Sequence, residues 1–256
     1  MKRLILILAT ILFSLFTINA KCENNSEKKR RERMLLVAAL ITQPVFSAAN
    51  CVSYMQPLNP LYALPDYWVR FKSDAKQYET LIRGNSTMDI SCRYTGFLSA
   101  TTQCLAIGGN TLCDMTVQRP AINTVNPSAV IISSGGGNDA IRLVGEDNIT
   151  QAQIEASGKE LVDQTRAEFP NAKIVWLTIH PTLNASLNAA TTGINSAMSA
   201  YVNGLSNTCV VNTHALFGKA AGEMADVSQM LDEIHYNETM SFIIKDAVLA
   251  QCGVSI

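Results

Sequence analysis

The sequence predicts an α/β domain built on a doubly wound parallel sheet. Continuous apolar runs of strand length alternate along the chain with longer segments whose apolar residues recur at helical spacing. The run from Ser128 to Ser134 is apolar throughout and ends in three glycines, as is typical of parallel strands buried on both faces. No internal repeat or interior linker interrupts the alternation, which indicates one domain.

The individual elements follow from these patterns. The predicted strands are Glu79 to Arg83, Gln103 to Ile107, Ser128 to Ser134, Ala172 to Ile179 and Thr208 to Asn212. The predicted helices are Ile149 to Phe169, Gly193 to Leu205 and Thr239 to Ala250. Because ligands of such sheets bind beyond the carboxyl ends of the strands, the residues that follow each strand are the candidates for function.

Composition excludes several classes of protein. Of the 256 residues, 16% are charged and 48% are hydrophobic, which excludes a disordered chain. The net charge of -1 gives no basic surplus for binding nucleic acid. No cysteine or histidine cluster has zinc spacing, and neither a P-loop nor a dinucleotide-binding glycine motif is present. We therefore expect no metal, no cofactor and no nucleic-acid partner.

The N-terminus predicts export. Two basic residues precede an apolar run from Leu4 to Ile18, so residues 1–20 are predicted as a signal peptide. Residues 21–50 are predicted as a tether and an apolar segment, and residues 51–256 as the α/β domain. The location expected is periplasmic, cell-surface or secreted. Membrane attachment through a lipidated Cys22 and simple secretion both stay open, because Lys21 departs from a lipobox.

The cysteine count agrees with an oxidising compartment. Seven cysteines are present, and if Cys22 is set apart the remaining six allow three disulfides in fifteen connectivities. The alternative is that several are free buried thiols.

The segment Met34 to Ala49 also has two interpretations, a second signal from an internal start or a helix packed on the domain.

Small and polar residues gather where the predicted strands end. Ser86 follows the first strand, Gly109 the second and Asn138 the third. A hydroxyl nucleophile needs a base to take its proton, and His235 is the one histidine of three with a carboxylate, Asp232, three residues before it. Asp232 on a tight turn can bond the imidazole and fix its tautomer. The residue types therefore predict acyl transfer with Ser86 as nucleophile, His235 as base and Asp232 as orienting acid.

An oxyanion formed on Ser86 would need hydrogen-bond donors held in place. The expected donors are the backbone N–H of Ser86, the backbone N–H of Gly109 and the side-chain amide of Asn138. His180 is the rival base, but no carboxylate is near it in sequence, so a structural or substrate-lining role is expected for it and similarly for His214.

Four short motifs carry a family resemblance. They are Gly84-Asn85-Ser86, Gly109-Asn110-Thr111, Gly136-Gly137-Asn138-Asp139 and Asp232-Glu233-Ile234-His235. Their order and spacing resemble the four blocks of the GDSL/SGNH hydrolases over about residues 80 to 237. The resemblance implies a flavodoxin-like three-layer α/β/α sandwich with a five-stranded parallel sheet, the SGNH hydrolase fold. It assigns the nucleophile, base and acid to the same three residues, and the oxyanion donors to Ser86, Gly109 and Asn138.

The resemblance implies an exported serine hydrolase that cleaves carboxylic esters through an acyl-enzyme. Lipid, thioester, arylester and acetylated-sugar substrates all fit, so the partner is a small-molecule, lipid or carbohydrate ester. The family usually has Asp before the serine, where this chain has Asn85, and often Leu after it, where this chain has Thr87. An acyltransferase of the cell envelope is the alternative, and a non-catalytic binding protein that keeps the pocket is the third hypothesis. Oligomeric state is not predicted.

Overall fold

The computed structural model describes residues 78–117, 126–145 and 149–256. At their centre is an all-parallel sheet of five strands in the order β2-β1-β3-β4-β5. The strands are β1 Thr80–Gly84, β2 Thr102–Cys104, β3 Ala129–Ser133, β4 Lys173–Leu177 and β5 Thr208–Val211. The predicted α/β class and five-stranded parallel sheet are confirmed. The predicted leader (1–20), the segment 21–50 with Cys22, and residues 51–77 of the predicted domain lie outside the described residues.

Helices connect the strands and cover both faces of the sheet. They are α1 Ser86–Ser91, α2 Leu112–Val117, α3 Gly137–Val144, α4 Gln151–Glu168, α5 Ala185–Asn203, α6 Thr213–Leu216 and α7 Glu238–Cys252. A 3₁₀ helix, Val227–Gln229, precedes α7. Among the described helices, none combines the length and hydrophobicity needed to cross a bilayer.

Alternate residues of the strands point into two separate cores, which gives the three layers. On β3, Ile131 belongs to the core that also contains Met240 and Ile244 of α7. Ile132, the next residue, belongs to the core that contains Ile154 of α4 and Met198 of α5. Because both faces are covered, β3 is apolar apart from its last residue, Ser133, and this explains why its sequence lacks a polar alternation.

Side-chain caps fix where the long helices begin. Thr150 accepts a hydrogen bond from the N–H of Gln153 and forms a capping box at the start of α4. Asn184 accepts from the N–H of Leu187, so α5 begins at Ala185. The predicted start at Gly193 was wrong, because the first two turns of α5 are rich in Asn, Thr and Ala and lack the apolar periodicity that marks its later part.

The second strand is shorter than predicted. It ends at Cys104 rather than Ile107, because only three residues pair with β1 in regular register. Leu105 and Ile107 still donate N–H bonds to the carbonyls of Ile82 and Gly84, at 2.7 Å and 3.2 Å. The apolar residues from Leu105 to Ile107, which predicted a longer strand, thus form a buried connection that runs along β1 after the regular pairing has ended.

Covalent and ionic links hold the elements that flank β1 and β5. Disulfides join Cys92 to Cys104 and Cys209 to Cys252, and Cys113 is disulfide-bonded as well. Arg83 of β1 is fully buried, and its guanidinium donates at 2.7 Å to Glu168. The guanidinium also donates at 2.7 Å to Thr165, so that β1 is tied to α4 just before the chain leaves the sheet.

Candidate active site

Ser86 is the first residue of α1, two positions after the end of β1. A side chain at Gly84 would bring a Cβ within 2.9 Å of the Cβ of Met88, so the tight passage from strand to helix requires glycine there. Asn85 caps the helix, since its Oδ1 accepts the N–H of Thr87 at 3.2 Å. The serine side chain is therefore held at the carboxyl edge of the sheet and stays partly exposed.

His235 joins Ser86 to Asp232. The Nε2 atom of His235 lies 2.7 Å from Oγ of Ser86, and its Nδ1 atom lies 2.7 Å from Oδ2 of Asp232. Both residues of the Asp232–His235 pair belong to the segment between the 3₁₀ helix and α7. The structure thus brings together the three residues that the sequence assigned to nucleophile, base and acid.

The turn that contains His235 is organised by Asp232. Its Oδ1 accepts the backbone N–H groups of Ile234 and His235 at 2.8 Å and 2.7 Å. Partial burial acts to raise the pKa of Asp232, but the backbone N–H and imidazole of His235 and the N–H of Ile234 together lower it below its usual range. A carboxylate that stays ionised can hold Nδ1–H of His235, which leaves Nε2 free to accept a proton from Ser86.

The three predicted oxyanion donors lie just beyond the carboxyl ends of β1, β2 and β3, Ser86 and Asn138 at the starts of α1 and α3 and Gly109 in a loop. Within the described residues, the backbone N–H groups of Ser86 and Gly109 have no acceptor. Gly109 has φ +81, a conformation that favours glycine. Asn138 uses one amide N–H to bind the carbonyl of Asn110 at 2.7 Å, so its side chain is held in place while the second N–H is left for another acceptor.

Asn110 links these loops, a role that was not assigned from the sequence. Its side-chain amide donates to the carbonyl of Gly84 at 2.9 Å. Its own carbonyl receives the amide of Asn138. An asparagine directly after the glycine of the second loop was visible in the sequence, but its partners lie at the end of β1 and at the start of α3. The loop of Gly109 is therefore fixed to the end of β1 and to the start of α3.

Asp139, next to Asn138, is a buried carboxyl behind the same loops. Its Oδ2 accepts the N–H of Leu112 at 3.0 Å, and its Oδ1 has no partner among the described residues. Burial raises the pKa of Asp139 to about 6, and the nearby carboxyl of Asp114 acts in the same direction. Hydrogen bonds from backbone N–H groups oppose the rise without cancelling it.

The other two histidines do not contact Ser86. Both ring nitrogens of His180 are engaged by other groups, Oγ of Ser134 and the carbonyl of Ile234. His214 is buried at the start of α6, and its Nε2 has no partner among the described residues. In the part of the chain that the structure describes, no group of His, Cys, Asp and Glu could hold a metal ion.

The buried carboxyl of Asp139 predicts a pH-dependent stability. The fold raises its pKa from 3.8 to about 6, so its contribution to stability is present below pH 4 and is lost as the pH rises through 6. Asp139→Asn removes the charge and keeps an oxygen for Leu112. We expect the free energy of unfolding to increase at pH 8 by about 1 to 3 kcal/mol relative to the native protein, and to change little at pH 4.

Urea unfolding of both proteins at the two pH values measures this difference. The exposed Asp246→Asn on α7 is the matched control, and its effect should be the same at both pH values. If Asp139→Asn changes the free energy of unfolding by the same amount at pH 4 and pH 8, then ionisation of the buried carboxyl does not destabilise the folded protein.

Comparison with solved structures identifies the fold. A GDSL-like lipase from Bacteroides thetaiotaomicron has a TM-score of 0.61 and 14% identity, and the match covers 74% of this chain and 94% of the lipase. A catalytic mutant of an acetylxylan esterase from Geobacillus stearothermophilus has a TM-score of 0.53 and 18% identity, with 70% of this chain and 96% of the esterase covered. A scan of protein-family models finds no match, and a search of the curated proteins finds none either. The fold that the resemblance to the GDSL/SGNH hydrolases implies is thus confirmed, because this chain shares the fold of the lipase and of the acetylxylan esterase.

Proposed function

We propose that the protein is a serine hydrolase that cleaves carboxylic esters through an acyl-enzyme on Ser86. The observation that carries the proposal is the position of His235, whose two ring nitrogens lie 2.7 Å from the Ser86 hydroxyl and 2.7 Å from the Asp232 carboxylate. These are the contacts that a nucleophile, a base and an orienting acid require. The fold shared with a lipase and an acetylxylan esterase supports the same activity.

In the first half of the reaction, Oγ of Ser86 attacks the ester carbonyl carbon. Its proton passes to Nε2 of His235, and the imidazolium that forms is stabilised by the ionised Asp232. The tetrahedral intermediate collapses when the ester C–O bond breaks, and His235 returns the proton to the departing alcohol. The acyl group is then bound to Ser86.

The second half hydrolyses this acyl-enzyme. A water molecule gives its proton to His235 and attacks the acyl carbon, and Ser86 leaves as the hydroxyl when His235 protonates it. In both halves the carbonyl oxygen becomes negative. The N–H groups of Ser86 and Gly109 and the free amide N–H of Asn138 stabilise that charge, because they are held in place before the reaction begins.

The substrates to test first are acetylated sugars and longer-chain acyl esters. The fold neighbours with these activities are an acetylxylan esterase and a lipase. A series of esters that differ only in acyl-chain length separates the two classes.

We also propose that the protein is exported, as the leader predicts. Disulfides within the described domain support this proposal, since they form and persist in oxidising compartments. Lipid attachment at Cys22 stays a prediction of the sequence.

The first prediction concerns the nucleophile. A fluorophosphonate probe should label the native protein, and peptide mapping should place the adduct on Ser86. Ser86→Ala should abolish labelling and lower kcat by about 10⁴-fold or more, and His235→Ala should nearly abolish turnover. Labelling of another serine would refute the assignment of Ser86.

The second prediction separates the two kinds of oxyanion donor. Asn138→Ala removes a side-chain N–H and should lower kcat by about 10²- to 10³-fold with little change in KM. Asn138→Asp should be worse than Ala, because a carboxylate repels the developing oxyanion. Gly109→Ala keeps its N–H and should lose activity only through the strain of a side chain at φ +81.

Steady-state kinetics of the three variants test this, after circular dichroism has established that each is folded. If folded Asn138→Ala keeps the native kcat, then Asn138 serves only to bind Asn110, and the oxyanion must be stabilised by other groups.

A third prediction tests export. In protein taken from its native compartment, Cys92, Cys104, Cys209 and Cys252 should resist alkylation until a reductant is added, because they are paired. Mass spectrometry after sequential alkylation with two reagents measures this. Free thiols at these four positions would contradict both the pairing and an oxidising location.

A further inference from the structure

His180 lies behind the turn that contains the proposed base. It follows β4 and is 3% exposed. Its Nε2 atom is 2.7 Å from the carbonyl oxygen of Ile234, the residue before His235. Its ring packs edge-on against Tyr236, the residue after His235, with ring centroids 4.8 Å apart. Both sequence neighbours of His235 therefore contact the same buried side chain.

The hydrogen bonds of His180 fix its protonation. A carbonyl oxygen can only accept, so Nε2 must donate its proton to Ile234. Burial lowers the pKa of His180 to about 4, so the ring is neutral at pH 7 and has a single N–H. Its Nδ1 is then an acceptor, and the hydroxyl of Ser134 donates to it at 3.3 Å. Each polar atom of the ring is used.

Ser134 continues this connection towards the nucleophile. It is the residue after β3, and its carbonyl lies 3.4 Å from the side-chain amide of Asn85. Because Oδ1 of Asn85 is used by the N–H of Thr87, its Nδ2 faces Ser134. Asn85 directly precedes Ser86. An aspartate, the usual residue at this position in the family that the chain resembles, has no N–H to give to Ser134.

These contacts form one buried connection behind the reacting pair. We name Asn85, Ser134 and His180, together with the carbonyl of Ile234, the bridge. It joins the residue before the proposed nucleophile to the residue before the proposed base through hydrogen bonds of 3.4, 3.3 and 2.7 Å. Asn85, Ser134 and His180 are each less than 5% exposed, so the three side chains of the bridge are shielded from water.

We propose that His180 is a positioning residue, which acts through the bridge to hold His235 at hydrogen-bonding distance from Ser86. The proposal rests on the proposed hydrolase function for its kinetic consequences. Asp232 and His235 lie on a partly exposed segment, which needs support from the core. A displacement of about 1 Å between nucleophile and base is enough to cost a large part of the rate. The bridge also gives a physical reason for asparagine, rather than aspartate, before the serine.

The test uses three variants with different parts of the bridge removed. His180→Phe keeps a ring against Tyr236 and removes both hydrogen bonds. His180→Gln has an amide that can reach the Ile234 carbonyl. Asn85→Asp keeps the oxygen that caps α1 but cannot donate to Ser134. The matched control is His214→Phe, which also replaces a buried histidine, 4% exposed, and removes none of the hydrogen bonds of the bridge.

In steady-state ester hydrolysis, His180→Phe should lower kcat by about 10- to 100-fold and leave KM within about twofold, since it displaces the base rather than the substrate. His180→Gln should recover most of the loss. Asn85→Asp should also lower kcat, whereas His214→Phe should stay within about twofold of the native protein. Full activity of folded His180→Phe, or of Asn85→Asp, would contradict the proposal that the bridge positions His235.

A second readout requires no turnover. In the substrate-free protein, the proton on Nδ1 of His235 that bonds Asp232 should give a downfield imidazole resonance, assigned by its loss in His235→Ala. His180→Phe should broaden or remove this resonance, and His214→Phe should leave it unchanged. An unaltered resonance in His180→Phe overturns the positioning role. If the native protein neither hydrolyses esters nor reacts with fluorophosphonate, the proposed function fails, while a response of the resonance to His180→Phe still supports the bridge.

Discussion

The position of β1 between β2 and β3 is the constraint on which the candidate site depends. In the ladder, Gly84 of β1 is paired with Ser133 of β3, the last residue of each strand. The segments that follow β1 and β3 therefore run side by side from the first residue outside the sheet. Ser86, Asn138 and Gly109 meet because three parallel strands end at one edge. A slip of one residue would reverse the side chains of β1 and separate Asn85 from Ser134.

Uncharged amides, rather than ion pairs, fix the loops around the site. The side chains of Asn85, Asn110 and Asn138 each donate to a backbone carbonyl of a neighbouring loop. Amides do not titrate, so these loop contacts do not depend on pH. They also add no charge of their own around Ser86. The ionisable side chains of Arg83 and Asp139 are both fully buried.

Much of this architecture could be predicted from the sequence, because it rests on local patterns. Buried parallel strands are continuous apolar runs, and the pairing of Asp232 with His235 is a contact across three residues within one turn. The short helices α1, α2 and α6 could not be predicted, since four to six residues show no periodicity. The start of α5 was missed because an asparagine cap, not an apolar stripe, determines it. The partners of Asn110 and His180 lie far from them in the sequence, so their roles follow only from the tertiary structure.

The bond between His235 and Ser86 closes a loop of 149 residues. Contacts of such high sequence separation form only after the intervening chain has been ordered, because the entropy of loop closure must be overcome first. A ribosome synthesises Ser86 long before His235, so a nascent chain at first contains the proposed nucleophile without the proposed base. The disulfide from Cys209 to Cys252 encloses His235, so the covalent link around the proposed base also forms only after the last helix has been synthesised. In the proposed mechanism, the reactivity of Ser86 is thus coupled to the completion of the fold.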